Sequence, residues 1–196
     1  MPNKLQFTPP ENGPFRFIAV DVEAAAHDVV GIWQIGLAFV RIDRSIETYS
    51  TYIDPCTRFA EGNTQLHGIG FETTRDAPTC AEALPELRFV LETQPLAQHS
   101  RFDKKSFDDA GLQAKLPFLK SIWTDSVAIA RKAWSEFRGN GEHGLANLKK
   151  EFGPLSQQFD AGEDTRAADQ VAPKAENSLG AELKVRNSAR QLVFDL

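Results

Sequence analysis

Hydrophobic positions along this chain come in short dense runs, broken by turn residues, after a polar and proline-rich lead-in over residues 2–14. Residues 16–23 (RFIAVDVE) are rich in β-formers and suit a central strand. Residues 32–40 (IWQIGLAFV) give a second strand. Residues 47–53 (ETYSTYI) alternate and stop at Asp54-Pro55, a third. Three strands on short links predict an antiparallel meander. The period then changes. Over residues 79–93 Leu84, Leu87 and Leu91 share one helical face, with Pro85 implying a kink or a later start. Residues 96–99 read as a fourth strand, and residues 102–110 as a helix that Gly111 could end. A fifth strand is expected over 118–123. Thr124 would cap a helix running to Trp134, and further helices are expected over 143–152 and 160–171. Asp160 and Glu163 have the spacing of a capping box. Strands followed by strand–helix alternation predict an α/β fold, a mixed sheet with helices on its faces.

Length and composition narrow the class. At 196 residues, 41% hydrophobic and 25% charged, the chain can close one core, and a collagen, a coiled coil or a wholly disordered chain is excluded. No run approaches 18 apolar residues, so no membrane partner is expected, and the polar start lacks the apolar stretch of a secretory signal. Cys56 and Cys80 lack metal-knuckle spacing and are too few for a disulfide framework. A reducing cytoplasm is the expected setting.

The net charge of −5 argues against a general nucleic-acid coat protein. The charge is uneven. Residues 1–100 hold 7 basic and 13 acidic side chains, whereas residues 101–150 hold 10 and 6. That middle segment is either a phosphate-facing rim or a set of solvated helix faces.

Three acidic sites, with four carboxylates between them, carry candidate chemistry. Asp21 and Glu23 sit two apart on the first strand, so both side chains project to one face. Two adjacent carboxylates on a hydrophobic strand are costly to desolvate, and a divalent cation would offset that cost. The alternative is a frayed strand end in water. Asp103 follows the fourth strand, where the carboxyl ends of strands gather side chains at a sheet rim, or else is an ordinary first-turn aspartate. Asp164 lies one turn into the last helix. The helix dipole accounts for Asp160 and Glu163 better than for Asp164.

Taken in order, VDVE, WQIG, LHGI, AQHSRFD, LANLKKEFG and DAGEDTRAADQVA resemble the DEDD exonucleases of the RNase H-like fold. The branch in question is the DEDDh branch, which includes the proofreading subunit of bacterial DNA polymerase III and RNase T. The match covers residues 15–172, leaving 1–14 as a lead-in and 173–196 as a C-terminal tail. The resemblance implies a five-stranded mixed sheet flanked by helices. It implies four catalytic, metal-binding carboxylates at Asp21, Glu23, Asp103 and Asp164, holding two Mg²⁺ or Mn²⁺ ions. It implies hydrolysis of single-stranded DNA or RNA from 3′ ends, releasing nucleoside monophosphates. Substrate contacts would fall at Ala24, His67, His99 and Phe102. For His67 the other reading is a solvated loop residue, for Phe102 a core aromatic, and for His99 a structural hydrogen bond at the strand end.

The chain departs from the family at one telling place. The family's general-base histidine stands five residues before the last aspartate, and here that residue is Phe159, which cannot accept a proton. A positioned general base contributes about 10²–10⁴-fold, so a slowed exonuclease is expected. The alternative is a weak or inactive module that binds 3′ ends or a replication partner. Ala24 replaces the family's usual threonine, and Gln98 and His99 stand where the family often has histidine and asparagine. In the tail, Pro173 would end the last helix and residues 177–180 read as linker. Residues 191–196 (QLVFDL) are similar to peptides that dock sliding clamps. The competing expectation is a segment that packs back on the domain or across a dimer.

Overall fold

Phe15–Ala24 (β1) is the central strand, because its side chains are apolar on both faces over most of its length. It pairs antiparallel with Ile32–Arg41 (β2), which pairs antiparallel with the edge strand Ile46–Tyr52 (β3). On its other side β1 runs parallel to Leu96–Gln98 (β4), and β4 runs parallel to Trp123–Asp125 (β5). The order β3-β2-β1-β4-β5 is the expected five-stranded mixed sheet with flanking helices. The computed structural model describes residues 5, 7–11, 15–24, 31–137, 144–152, 171, 174–180, 183–186 and 191–194.

Alternation along β1 divides the core into two layers. Ile18, Val20 and Val22 face Cys80–Thr93 (α3) and Phe102–Gln113 (α4), packing with Leu87, Leu91 and Phe107. Phe17 and Ala19 face the opposite layer, with Ile129 and Ala130 of Ser126–Ala133 (α5) and Leu148 of Leu145–Phe152 (α6). Asp21 and Glu23 continue this second series. No helix among the described residues is long and apolar enough to cross a membrane.

Several expectations are corrected. The fifth strand is 123–125, not 118–123. Phe118 is 58% exposed, and the strand forms where Leu96, Ala97 and Gln98 offer partners to Trp123, Thr124 and Asp125. The cap of α5 is accordingly Asp125, whose carboxylate accepts from the Val127 amide at 2.9 Å, and not Thr124. Gly111 does not end α4, which runs on to Gln113, and Lys115 takes the left-handed conformation at φ 56°. α3 begins at Cys80 despite Pro85, because Thr79 and Glu82 close a capping box upstream of the proline. Two short helices, Glu61–His67 (α1) and Phe71–Thr74 (α2), fill a stretch to which the sequence pattern assigns no element, and Gly68 closes α1 at φ 70°.

The flanks are tied down as well. Leu5 is buried in the α3 layer and Phe7 meets Tyr49 edge-on at 4.7 Å, so these parts of the lead-in are anchored rather than loose. Residues 174–179 are helical, which replaces the linker expected over 177–180. Ala175 joins the α5 layer, and Glu176 is buried in an ion pair with Arg16, with Arg44 at 3.6 Å. Leu183–Arg186 (β6) and Gln191–Phe194 (β7) form an antiparallel pair, and β7 approaches β5. The expected helix over 160–171 lies outside the described residues apart from Val171, which is buried in the α5 layer.

Candidate active site

The site grows from a mismatch in strand length. The Ile18 amide donates to the Pro95 carbonyl at 3.0 Å, so the even-numbered N–H groups of β1 point toward β4. β4 stops at Gln98, and β1 runs on past it. A buried N–H needs an acceptor. The Val22 amide finds one in Asp103 Oδ1, at 3.1 Å. That bond draws Asp103 to the stretch of β1 whose flanking residues are Asp21 and Glu23.

The link between β4 and α4 makes this reach possible. Ser100 turns the chain with φ 102°, a left-handed conformation that costs a non-glycine residue energy. Gln98, 3% exposed, accepts from the Lys104 amide at 2.9 Å and so caps α4 from the strand. Two bonds thus fix the first turn of α4, one from each neighbouring strand. Phe102 opens the helix just before them, 39% exposed and outside the core clusters, so the core-aromatic reading is set aside.

Charge is concentrated here. Asp103 is 2% exposed. Burial pushes its carboxyl up to about 7, the Val22 hydrogen bond opposes that rise, and the Glu23 and Asp125 charges add to it. A buried carboxylate with two acidic neighbours holds its charge at neutral pH only with a compensating cation. The donor set is all oxygen, the chemistry of hard divalent ions such as Mg²⁺ and Mn²⁺. The residues present therefore fit such an ion in chemical kind. Among the described residues no three His, Cys, Asp or Glu side chains close into a metal-holding group. A further ligand is needed, and Asp164, the residue expected there, lies outside the described residues.

The remaining candidates separate. Ala24 is the last residue of β1, buried, opposite Ile32 across a register shift. His67 is the last residue of α1, not a loop residue, and two residues on Ile69 packs with the Trp33–Phe59 stack. His99 is half-buried, with Nδ1 2.8 Å from Ser126 Oγ, which is the structural hydrogen bond foreseen at the strand end. Phe159, Asp160, Glu163, His27 and His143 lie outside the described residues. The basic middle segment is partly a solvated helix face, since Lys104 and Lys105 of α4 pair with Asp108 and Asp109 one turn on. Sequence reasoning missed Asp125, whose charge acts on Asp103, and Ser126. Aspartate followed by serine after a strand signals a helix cap, and nothing in that signal points to the first-turn aspartate of another helix.

Comparison with known proteins gives a consistent picture. The family model described as exonuclease, of the RNase T type, matches residues 18–171. The PolC-type DNA polymerase III of Streptococcus suis is 26% identical over 140 residues, which is 70% of this chain and 9% of that polymerase. This chain therefore spans about a tenth of that relative's length. The nuclease domain of 3′hExo, described as a DEDDh family member bound to rAMP, superimposes with a TM-score of 0.73 at 12% identity, covering 93% of this chain and 97% of that one. Exonuclease X in complex with 5′ overhanging duplex DNA gives a TM-score of 0.60 at 19% identity over 84% of this chain and 93% of its own. Both solved structures share the fold.

Proposed function

Because the chain belongs to the exonuclease family of the RNase T type, with its DEDD pattern and RNase H-like fold, we propose that it is a metal-dependent 3′–5′ exonuclease. It would remove nucleoside monophosphates from single-stranded 3′ ends of DNA or RNA. The observation that carries the reading is the Asp103 carboxylate, buried and bonded to the amide between Asp21 and Glu23. Burying acidic groups together serves no packing purpose and is destabilising without a cation.

In this reading Asp21, Glu23 and Asp103, with Asp164 as the fourth ligand, hold two Mg²⁺ or Mn²⁺ ions. Bound divalent ions would supply polarisation of the phosphodiester and stabilisation of the leaving oxygen. The chain's own residues do the positioning. Val22 fixes one Asp103 oxygen and leaves the other for a ligand. Phe102, exposed beside Asp103, offers an aromatic surface to a terminal nucleotide. Ala24 and His67 would border the same nucleotide. Phe159 can take no proton from water, so the rate is impaired rather than abolished.

The departure at Phe159 also favours a second reading, a module that holds 3′ ends with little catalysis. A polymerase or sliding clamp as partner rests on the tail sequence alone. For clamp docking, the pairing of Gln191–Phe194 with Leu183–Arg186 would have to open. The deciding assay is incubation of a 5′-labelled oligonucleotide with Mn²⁺ beside an Asp21→Ala control. A ladder of shortened products that vanishes in the control supports the exonuclease. End binding without a ladder supports the module.

A further inference from the structure

We propose that Arg101 is a substrate-binding residue for the phosphate next upstream of the one that is hydrolysed, an inference that rests on the exonuclease reading above. Three consecutive residues at the start of α4 change steadily in exposure. Asp103 is 2% exposed, Phe102 is 39% exposed, and Arg101 is exposed. Helical residues turn by about 100° each, so Arg101 leaves the helix end about 200° round from Asp103. Asp103 turns inward, to the Val22 amide. The two side chains therefore serve different phosphates. A strand whose reacting end meets Asp103 and whose base lies on the Phe102 ring comes next to Arg101.

The fold gives this cation no structural task. Arg101 occupies the N-cap of α4, where Ser, Thr, Asp or Asn is the usual residue, and it makes no side-chain cap bond. The positive end of a helix repels a cation. Among the described residues its guanidinium has no ion pair and no hydrogen bond. Its neighbours differ, since Lys104 pairs with Asp108 and Lys105 with Asp109. An external anion would offset the unfavourable position of Arg101. The backbone beneath it is fixed. Ser100 holds φ 102°, its hydroxyl accepts from the Phe102 amide at 3.3 Å, and Gln98 accepts from the Lys104 amide at 2.9 Å. A pre-set anchor lowers the entropic cost of binding. A guanidinium meets phosphate with two parallel N–H bonds. A single-stranded nucleic acid brings such a phosphate with every nucleotide.

The test compares two substrates in Mn²⁺. A single-stranded oligonucleotide carries upstream phosphates, whereas the p-nitrophenyl ester of thymidine 5′-monophosphate carries only the phosphate to be hydrolysed. Arg101→Gln is expected to raise KM for the oligonucleotide about tenfold with kcat unchanged, and to leave hydrolysis of the ester as in the wild type. The slope of log KM against log salt should fall by about 0.7, the share of one phosphate contact on a single strand. Arg101→Lys, which keeps the charge, should restore the slope. Lys105→Gln, which removes an equal but paired charge, should leave it unchanged. Equal losses on both substrates, a wild-type slope in Arg101→Gln, or the same fall in Lys105→Gln would overturn the proposal and leave the exonuclease standing. A wild-type chain that cleaves no oligonucleotide would overturn the exonuclease reading and this proposal together.

Discussion

The Val22 amide and the Asp103 carboxylate, 81 residues apart in sequence, are joined by a 3.1 Å hydrogen bond. It is a consequence of strand lengths. β4 is three residues long and β1 is ten, so β1 presents an N–H beyond its neighbour's end, and the helix that follows β4 supplies the acceptor. The same bond that completes the backbone brings an acid to the amide between Asp21 and Glu23.

Burial of Asp103 sets a pH dependence. Its carboxyl titrates near 3.8 when unfolded and is pushed up to about 7 when folded. Between those values the folded chain binds the extra proton, so metal-free stability falls as pH rises through that window. Acids such as Asp43 and Glu82, which hydrogen bonds shift down, act in the opposite sense. The comparison with Asp103→Asn isolates the effect, because the amide oxygen can still accept from Val22. Urea midpoints in EDTA at pH 5 and pH 8 are the measurement. The variant is expected to gain about 1–3 kcal/mol over wild type at pH 8 and little at pH 5. An equal gain at both pH values would contradict the assignment.

In the proposed function divalent ion and proton would compete for the same carboxylate. Mn²⁺ held by the folded chain alone would add stability, about 2.7 kcal/mol at a hundredfold excess over its dissociation constant. The dissociation constant itself should tighten from pH 6 to pH 8, as Asp103 loses its proton. Thermal melts with and without Mn²⁺ at the two pH values read this out. A metal shift larger at pH 6 than at pH 8 would speak against Asp103 as a ligand.

The Arg16–Glu176 pair fastens the helical residues 174–179 onto the start of the central strand. The glutamate side chain is 3% exposed and the arginine 9%. Removing one partner of a buried pair leaves the other charge uncompensated, so Glu176→Ala is expected to cost about 3–5 kcal/mol. Arg16→Met combined with Glu176→Leu should cost less than Glu176→Ala alone. Urea unfolding of the three proteins decides, and a loss under 1 kcal/mol for Glu176→Ala would show the pair to be dispensable.

Much of this arrangement was legible in the sequence, and the exceptions have physical causes. β1 to β3 and α3 are long enough for alternation or helical period to show, and all four are found where the pattern puts them. β5 was misplaced because a three-residue parallel strand is defined by its partner's length, not by its own hydrophobicity. Residues 61–67 are polar throughout their first turns, so α1 gave no periodic signal. Asp21 and Glu23 were legible as a same-face pair and Asp103 as a residue past a strand end. The bond of Asp103 to the Val22 amide was not, because it depends on where β4 stops. The capping role of Gln98 and the charge of Asp125 on Asp103 are likewise properties of the assembled sheet.

In the proposed function Phe159 takes the place of the family's general base, and restoring a histidine there tests the slowed rate directly. Phe159→His is expected to raise Mn²⁺-dependent cleavage at least about tenfold, the lower part of what a positioned base contributes. Initial rates on a 5′-labelled oligonucleotide measure it. No gain in a folded, Mn²⁺-binding variant would mean that the missing proton acceptor is not what limits the rate.

Anomalous diffraction from crystals of the full chain soaked in Mn²⁺ at pH 8 bears most directly on the proposed shared role of the four carboxylates. Two peaks about 4 Å apart, contacted by oxygens of Asp21, Glu23, Asp103 and Asp164, are the predicted result. Density elsewhere, or none at these side chains under conditions that saturate a surface control site, would contradict it.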